Sequence, residues 1–432
     1  MNVKHYRVVA YGETPCAMTY SYLFNDRPQY RAKLQGHGTP WLQKTVSEQT
    51  PMRVAAYWKS GTPWLGGWNY FLNMVRICNR FEPNIEFVLV NDGELEAQKR
   101  KDLQALGVGL VETKPRDKAY HLGLIGIRDR AFESALRSAG VDVVFELITF
   151  HGTRFGLPVL AWIPDFQHHM MPEFFPRKER IKRNIDYWLR LNCRRDVVLS
   201  SRAARSDMKS FCRTPRARIH VLPFAVQPLA NVKQSGIRET LTRHSIERPY
   251  FFLPNQFWRH KNHCAAVDAA ALASQSNPEL LLVMSGLALD PRDDNHASQL
   301  IHRISDLVAS GNVMMLGIIS NSDLLHLIAG ARAVINPSLF EGWSTTVEEA
   351  KALGTPLLLS SLSVHHEQAP SATFFDPYKP QELAEHMLRL LKMPSERSED
   401  RIERARQSSE LAQQTYASRL KEAFQLAASH KT

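Results

Sequence analysis

Residues 336–356, NPSLFEGWSTTVEEAKALGTP, carry the strongest local signal in this chain. An apolar run ends at Asn336, which is followed by proline and stops a predicted strand. Thr345 with Glu348 has the form of a capping box, so a helix is expected to begin there. Gly354 ends that helix and a second buried strand follows. The stretch therefore predicts a strand, a loop, a helix and another strand, as in a parallel α/β sheet.

Two glutamates, Glu341 and Glu349, lie eight positions apart in this stretch. Glu341 is expected in the loop before the helix, and Glu349 about one turn inside the helix. A helix N-terminus presents free N–H groups and the positive end of the helix dipole, where a diphosphate can bind. Each carboxylate can accept hydrogen bonds from two hydroxyl groups, as on a ribose or a hexose. For an arbitrary pair of glutamates, two solvated side chains beside a capping Glu348 would be the commoner explanation.

The segment EGWSTTVEEAKALGTP resembles the E-x7-E signature of retaining glycosyltransferase family 4. The resemblance extends from residue 53 to the C-terminus and is strongest over residues 250–377. It implies an α/β architecture with the GT-B fold, in which two Rossmann-like domains face each other across a cleft. In that family the first glutamate contacts the donor sugar and the second holds the nucleotide ribose. The resemblance assigns these roles to Glu341 and Glu349.

The resemblance also implies further donor-binding positions. The family has a lysine just before a helix that neutralises the donor diphosphate, and Lys261 in PNQFWRHKNH matches it. Asn255 stands where the family has an arginine, and Arg259, the nearest arginine, has a different spacing. A strand end beside the nucleobase corresponds to Gly317. The backbone at the expected helix start is assigned to the diphosphate: Gly342, Trp343, Ser344 and Thr345.

The first half of the chain alternates predicted strands and helices from residue 53 onward, which indicates a second parallel sheet. Its first loop, KSGTPWLGG, ends in Gly66 and Gly67 before a predicted helix. Glycines at such a point let backbone N–H groups approach a ligand closely. The resemblance assigns this loop to the acceptor and the donor phosphates.

An apolar strand is also predicted over residues 158–163, and PDFQHHMMPEFF follows it. Ligands of parallel α/β sheets meet residues just past the carboxyl ends of strands, so Asp165, His168 and His169 are expected to enter the cleft. Many family 4 enzymes have an aspartate or histidine there that touches a sugar. Asp165 and His168 are therefore candidate catalytic residues beside Glu341, and a purely structural histidine is the equally weighted alternative.

A chain of 432 residues is long enough for two domains. We expect an N-terminal extension of unclear structure at 1–52, an acceptor-binding Rossmann-like domain at 53–230 and a donor-binding Rossmann-like domain at 250–390. A helical tail at 391–432 is expected to cross back to the first domain. The polar residues 227–249 are expected to hold the interdomain connection.

Five scattered cysteines without C-x-x-C pairing favour a reducing compartment and no structural zinc. The sequence has neither a signal-peptide pattern nor an apolar stretch of membrane-spanning length, so a cytoplasmic protein is expected. No D-x-D motif is assigned to a metal, and Asp290, Asp293 and Asp294 are interpreted as solvated. No cofactor or metal is expected besides the nucleotide sugar as co-substrate.

The formal net charge of +11 favours anionic partners. No zinc-finger, RNA-recognition or helix-turn-helix pattern accompanies the charge, so a nucleic-acid partner is disfavoured. Residues 177–195 are rich in Lys and Arg and carry an apolar stripe at helical spacing. That stripe consists of Ile181, Ile185, Trp188 and Leu189. A surface helix docked through the stripe is favoured, and peripheral contact with the anionic inner face of a membrane stays open.

The function expected from the resemblance is retaining transfer of a sugar from a nucleotide-diphosphate sugar to an acceptor hydroxyl. A glycan or lipid-linked acceptor is expected, as in bacterial surface polysaccharide or lipopolysaccharide synthesis. The alternatives are a non-catalytic sugar-nucleotide-binding partner, and an epimerase or phosphorylase with the same fold. A nucleic-acid binder, motivated by charge alone, is a third alternative, and all three rank below the transferase.

Overall fold

Two mainly parallel β-sheets organise the protein. The computed structural model describes residues 7–9 and 50–429, except residues 63, 115, 117, 118, 148, 229–231, 288–289 and 291–295. Within these residues one sheet has eight strands and the other six, and apolar cores lie on both faces of each. This is the GT-B arrangement of two doubly covered α/β sheets that the family resemblance implies.

The strands of the first sheet are β1 (Arg7–Val9), β2 (Met52–Trp58), β3 (Ile85–Asn91), β4 (Gly109–Glu112), β5 (Val143–Glu146), β6 (Val159–Ile163), β7 (Asp196–Leu199) and β8 (Arg218–Val221). The helices between them are α1 (Leu65–Phe81), α2 (Ala97–Ala105), α3 (Ala119–Leu124), α4 (Arg130–Ser138), α5 (Gln167–Met170), α6 (Arg177–Cys193) and α7 (Arg202–Phe211). The order across the sheet is β1-β4-β3-β2-β5-β6-β7-β8, and only the edge pair β1 and β4 is antiparallel. A 3-10 turn, Pro172–Phe174, precedes α6.

The inner strands are buried on both faces. In β2, Val54 and Trp58 face one helical layer, whereas Ala55 and Tyr57 face the other. Strands covered on both sides need apolar residues at consecutive positions, which is why they read as continuous apolar runs in the sequence.

The strands of the second sheet are β9 (Phe251–Pro254), β10 (Leu282–Ser285), β11 (Val313–Met315), β12 (Ala333–Asn336), β13 (Leu357–Ser360) and β14 (Thr373–Phe375). Its helices are α8 (Gln234–Arg243), α9 (His263–Ser276), α10 (His296–Ala309), α11 (Asn321–Gly330), α12 (Thr345–Ala352), α13 (Ser363–Gln368) and α14 (Pro380–Lys392). All strands are parallel, in the order β11-β10-β9-β12-β13-β14. A 3-10 turn, Arg259–Lys261, precedes α9.

The last helix, α15 (Ser398–Ser429), packs against both sheets. Near its start, the Arg401 guanidinium donates hydrogen bonds to the carbonyl oxygens of Ala329 (2.5 Å) and Ala331 (3.2 Å) at the end of α11. Further along, the hydroxyl of Tyr416 donates to that of Tyr70 (3.1 Å) inside the core of the first sheet. Phe424 is also part of that core. One continuous helix therefore ties the second sheet to the first.

Two connections differ from the interpretation of the sequence. The expected interdomain connection, residues 227–249, contains α8, whose Ile237 is buried in the core of the second sheet. Its polar residues are the outer face of an amphipathic helix. The single helix expected over residues 122–139 is instead α3 and α4, because Gly126 has a φ of +80° and the Asp129 carboxylate caps α4. Residues 10–49, most of the expected N-terminal extension, lie outside the described residues.

Candidate functional site

Glu341 lies in the loop after β12 and is held by three donors on one oxygen. Its Oε1 accepts from Lys261 Nζ (2.6 Å), Ser338 Oγ (2.7 Å) and Asn336 Nδ2 (3.4 Å). Burial alone would raise the pKa of this carboxyl, but the Lys261 ammonium, with His365 and His260, lowers it to about 2. Oε2 makes no hydrogen bond with the described residues, so the fixed carboxylate keeps one oxygen for a ligand.

Glu349 lies in α12, one turn beyond the helix start, as expected. Its side chain is half-buried, and its carboxylate makes no hydrogen bond or ion pair with the described residues. Burial without a nearby cation raises the pKa of Glu349 to about 8. A carboxyl group in this state can both donate to and accept from hydroxyl groups.

The start of α12 is held by Gln368, a residue that the interpretation of the sequence did not include. Ser344, one residue before the expected cap Thr345, is the N-cap, and its hydroxyl accepts from the Val347 N–H (3.4 Å). Glu348 does not complete the expected capping box. Instead, the Gln368 amide accepts from the Ser344 N–H (3.2 Å) and donates to the Ser344 carbonyl (2.7 Å) and to Glu348 Oε1 (2.9 Å). No local sequence signal points to Gln368, since it comes from α13.

The clamp on Ser344 leaves the next N–H groups for a ligand. Thr345 and Thr346 occupy the first two positions of α12, whose N–H groups have no partner inside the helix. Neither N–H makes a hydrogen bond with the described residues. Of the backbone groups assigned to the diphosphate, Thr345 therefore remains available, whereas Ser344 is already engaged.

The ends of the neighbouring strands β9, β10 and β11 bring further predicted residues together. Asn255 is 8% exposed, and its amide nitrogen has no hydrogen-bond partner among the described residues. The carbonyl oxygen of Gly317 accepts from the Gly286 N–H (2.8 Å). Gly317 has a φ of +65°, and a Cβ there would meet only open space. The strand ends of β9, β10 and β11 thus border an open region with a buried, unused amide donor.

Arg259 makes a contact across the two domains. Its guanidinium carbon lies 5.1 Å from the ring centroid of Phe174, which belongs to the first domain. Its backbone N–H donates to the carboxylate of Asp290 (2.8 Å). Asp290 is 1% exposed, so the interpretation of this aspartate as solvated was wrong. Asp293 and Asp294 lie outside the described residues.

The paired glycines of the first domain leave room for the side chain of a nearby tryptophan. Gly66 and Gly67 are in the first turn of α1, not in the loop before it. A Cβ at Gly67 would overlap the indole of Trp64, and that indole stacks on Trp162 at 5.9 Å. The expected open glycine loop is therefore covered by an aromatic side chain three residues before Gly67.

Of the residues that follow β6, the structure brings Asp165 close to the second domain but not His168. The Asp165 carboxylate accepts from the Gln167 N–H (2.9 Å), which turns the chain at the end of the strand. His168 is 2% exposed, and the ring of Tyr187 lies edge-on at 4.7 Å, with Phe166, Phe175 and Phe211 also in contact. Burial, aided by Arg183 and His169, lowers the pKa of His168 to about 4. The expectation that His168 enters the cleft was wrong, because aromatic rings from its own segment and from two later helices enclose it.

Gly342 and Trp343 join the two domains directly. A Cβ on Gly342 would overlap the carbonyl oxygen of Pro164 and lie 2.8 Å from Cβ of Asp165. The indole N–H of Trp343 donates to the carbonyl oxygen of Phe224, after β8 (2.9 Å). The loop that carries Glu341 therefore touches the strand ends of the first sheet, and its glycine is required by that close approach.

The basic helix α6 exposes three of the four residues of its apolar stripe, and the fourth, Leu189, is half-buried. Ile181 is 51% exposed, Ile185 47% and Trp188 53%, while Tyr187 and Leu191 face the core. The favoured expectation, a helix docked through this stripe, was wrong. None of the helices in the described ranges combines the length and apolarity needed to cross a bilayer. The described residues also contain no cluster of three or more His, Cys, Asp or Glu side chains suited to a metal ion.

Comparison with known proteins finds part of this chain similar to a glycosyltransferase family model and to one curated sugar-phosphate synthase. Residues 241–408 match the family model of glycosyl transferases group 1. Mannosylfructose-phosphate synthase of Agrobacterium fabrum is 24% identical over 187 residues, which are 41% of this chain and 40% of that protein. The match thus spans less than half of the length of that curated relative.

Three solved structures share the fold over most of this chain. A glycosyltransferase from Rickettsia africae superposes with a TM-score of 0.64 at 13% identity, over 88% of this chain and 100% of that chain. HepE of Anabaena, in complex with UDP and glucose, gives 0.60 at 15% identity, over 88% and 98%. Sucrose-phosphate synthase from Thermosynechococcus elongatus gives 0.57 at 14% identity, over 87% and 94%. At these identities the likeness shows the GT-B fold.

Proposed function

We propose that this protein is a retaining glycosyltransferase of the family 4 type. It would move a hexose from a nucleotide-diphosphate sugar to an acceptor hydroxyl. The observation that carries the proposal is the contrast between the two glutamates of the E-x7-E segment. Lys261 fixes Glu341 through one oxygen, whereas the Glu349 carboxylate has no partner among the described residues. The match of residues 241–408 to a glycosyl transferase model supports the same activity.

The proposed chemistry uses residues of the second domain, which would hold the donor. The Lys261 ammonium, the N–H groups at the start of α12 and the Asn255 amide would stabilise the charge that develops on the leaving diphosphate, without a resident metal. Glu341 Oε2 would accept hydrogen bonds from sugar hydroxyls, and Glu349 would hold the ribose. The acceptor oxygen then bonds to the anomeric carbon, the carbon–phosphate oxygen bond breaks, and the acceptor proton leaves with the nucleoside diphosphate or passes to solvent.

A donor screen tests this proposal. Purified protein is heated with UDP-, GDP-, ADP- or dTDP-sugars, and UDP-glucose is the first choice because HepE is crystallised with it. A ligand at a hundred times its Kd stabilises a protein by about 2.7 kcal/mol. One nucleotide class should raise the Tm of the wild type but not that of Glu349→Ala. Glu385→Gln, an exposed charge change on α14, is the control and should respond as the wild type does.

Two outcomes would oppose the proposal. If no nucleotide sugar shifts the Tm, the donor site is not where we place it. If donor binds but NMR detects neither transfer nor hydrolysis, the protein is a sugar-nucleotide-binding partner instead of an enzyme. The configuration of the product at the anomeric carbon, read from the same spectra, decides between retention and inversion.

The acceptor is proposed to be a lipid-linked glycan at an anionic membrane surface on the cytoplasmic side, as in bacterial surface polysaccharide assembly. The exposed stripe of α6 supports this part of the proposal. Arg177, Lys178 and Lys182 are exposed beside Ile181 and Ile185, while Asp186 pairs with Arg190 on another face of the helix. Apolar side chains flanked by cations are suited to the interface of an anionic bilayer.

Vesicle binding tests the membrane contact. The wild type should co-sediment with vesicles containing phosphatidylglycerol, less with neutral vesicles, and less as salt is raised. Trp188→Ser and Lys178→Glu should each weaken binding several-fold, while Lys392→Glu, an equal charge change on exposed α14, should not. Equal binding by all four proteins would contradict the membrane contact.

Since two relatives are named as sugar-phosphate synthases, transfer to a soluble sugar phosphate is the competing result.

A further inference from the structure

The N-terminus of α7 in the first domain is capped by a carboxylate from the second domain. Both oxygens of Glu367, on α13, accept from the Arg202 N–H at 2.9 Å, and Oε2 also accepts from the Ala203 N–H at 3.2 Å. Ser201 caps the next N–H, that of Ala204, with its hydroxyl (2.9 Å). The first turn of α7 has no acidic residue of its own, so Glu367 supplies the negative charge that favours a helix N-terminus.

The same short helix also holds the donor side of the cleft. Gln368, the residue after Glu367, clamps Ser344 and Glu348 at the start of α12. On the turn before, His365 is fully buried and its Nδ1 donates to the carbonyl oxygen of Ser360 (2.8 Å). Ser360 in turn donates to the carbonyl oxygen of Ser338 in the loop of Glu341. A movement of α13 would therefore change contacts both at the donor site and at the first domain.

We propose that Glu367 is a positioning residue that latches the acceptor domain onto the donor domain in the arrangement that transfers sugar. This inference rests on the proposed function, since it assumes a donor at α12 and an acceptor in the first domain. The contact suits a reversible latch. Glu367 is only half-buried, so water can hydrate its carboxylate and the α7 N–H groups when the domains part. The latch thus favours the closed arrangement without fixing it permanently.

Two pairs of variants separate the latch from general damage. Glu367→Gln keeps the size of the side chain and removes the charge, whereas Glu367→Asp keeps the charge and should recover part of the activity. Arg202→Pro removes the N–H that both oxygens of Glu367 accept. Proline suits the first helical position, and Ser201 before it is already extended, with φ −157° and ψ 165°. Arg202→Ala is the matched control, because it removes the side chain and keeps the N–H.

Hydrogen exchange shows whether the contact exists in solution. In a peptide that begins before Ser200, the amides of Arg202 and Ala203 should exchange about tenfold faster in Glu367→Gln than in the wild type. Arg202→Ala should leave the exchange of Ala203 within twofold. Unchanged exchange in Glu367→Gln would overturn the latch, whatever the activity.

Kinetics show whether the contact positions the domains for transfer. Glu367→Gln and Arg202→Pro should lower kcat about tenfold, with the donor Kd within twofold of the wild type, because the donor site itself is intact. Arg202→Ala should keep kcat within twofold. Faster exchange with unchanged kcat, or an equal loss in Arg202→Ala, would overturn the positioning role. If the wild type transfers no sugar to any acceptor, the proposed function fails, while the exchange result still decides whether Glu367 binds α7.

Discussion

At the scale of single residues, the buried ion pair of Lys261 and Glu341 adds little stability by forming but is costly to break. The side chains are 14% and 8% exposed, so both charges lost most of their water on folding. Such a pair gains little net stability from being formed, but it is costly to break, because the remaining charge is buried alone. The pair therefore marks a place where charge is kept for a purpose other than stability.

Removing the ammonium tests this. Lys261→Met should lower the free energy of unfolding by about 3 kcal/mol, since the Glu341 carboxylate would stay buried with only Ser338 and Asn336 as donors. The double variant Lys261→Met with Glu341→Gln should recover most of that stability but no transfer activity. Urea unfolding of the wild type and the two variants measures their stability, and a transfer assay measures their activity. Equal stability of wild type and Lys261→Met would show that water reaches the carboxylate freely.

The carboxyl of Glu349 makes stability depend on pH in the opposite direction from a paired acid. In the unfolded chain it titrates near 4.3, whereas burial raises its folded pKa to about 8. The folded protein then binds the proton more tightly, so this group lowers the free energy of unfolding as pH rises from about 4 to about 8. Glu349→Gln should match the wild type at pH 4 and have the higher free energy of unfolding at pH 9. The difference should be at most about 5 kcal/mol, since one pKa unit corresponds to about 1.4 kcal/mol and water around the half-buried carboxylate lowers it. If the free energies of unfolding of the variant and the wild type differ by the same amount at pH 4 and at pH 9, the raised pKa is contradicted.

At the scale of elements, two glycines with the same backbone conformation have different surroundings. Gly354, which ends α12, has a φ of +66°, and a Cβ there would overlap the carbonyl oxygen of Arg401 in α15. Gly317 has a φ of +65°, with nothing near the position of a Cβ. Both glycines adopt the left-handed region that side chains disfavour, but only Gly354 also permits a close helix contact.

Alanine substitutions at these positions separate the backbone strain of the left-handed conformation from the steric overlap with α15. Gly317→Ala should lower the free energy of unfolding by about 1 kcal/mol, the strain of a left-handed alanine. Gly354→Ala should cost about 3 kcal/mol, because the steric overlap with α15 is added. Thermal unfolding of the two variants measures the difference. Equal losses would mean that α15 shifts away at no cost.

The order of elements could be predicted from sequence, but the surroundings of individual side chains could not. Local signals placed the helix start within one residue and put Glu341 and Glu349 on its two sides. They could not show that Trp64 fills the space above Gly67, since a glycine pair does not reveal what approaches it. His168 was misplaced for a similar reason. Two of the rings that enclose it, those of Tyr187 and Phe211, lie on α6 and α7 and are distant in sequence.

Segments that pack in a neighbouring layer were the hardest to assign. Polar composition suggested a linker where α8 lies, because a helix docked by few residues such as Ile237 is mostly exposed. The Gln368 clamp and the Glu367 cap were also beyond local patterns, since both depend on how α13 sits against two other helices. Sequence periodicity reports which face of a helix is apolar and not which partner it meets.

At the scale of the whole molecule, α15 makes the first domain depend on residues far from it in sequence. Phe424 is fully buried, with the rings of Phe87 and Phe145 edge-on at 6.3 Å and 5.7 Å. Lys421 adds an ion pair with Glu82 (2.6 Å) at the end of α1. These contacts lie in the core of the first domain although the residues follow the second domain in the chain.

Phe424→Ala should therefore destabilise the first domain by about 3–5 kcal/mol through the cavity it leaves. Leu411→Ala, an exposed position on the same helix, is the control and should change stability by less than about 0.5 kcal/mol. Calorimetry of both variants makes the measurement. An unchanged melting transition in Phe424→Ala would mean that the last turns of α15 are not part of that core.

The path of α15 also sets an order of events during synthesis of the protein. Domains commonly fold one after another as the chain leaves the ribosome, the N-terminal one first. Here the core around β2, β3 and β5 lacks Tyr416, Leu420 and Phe424 until the whole second domain has been translated. The core of the first domain can then be completed only after the second domain has been translated. A chain interrupted before residue 416 therefore has every strand of the first domain, but the core of that domain lacks the side chains that α15 supplies.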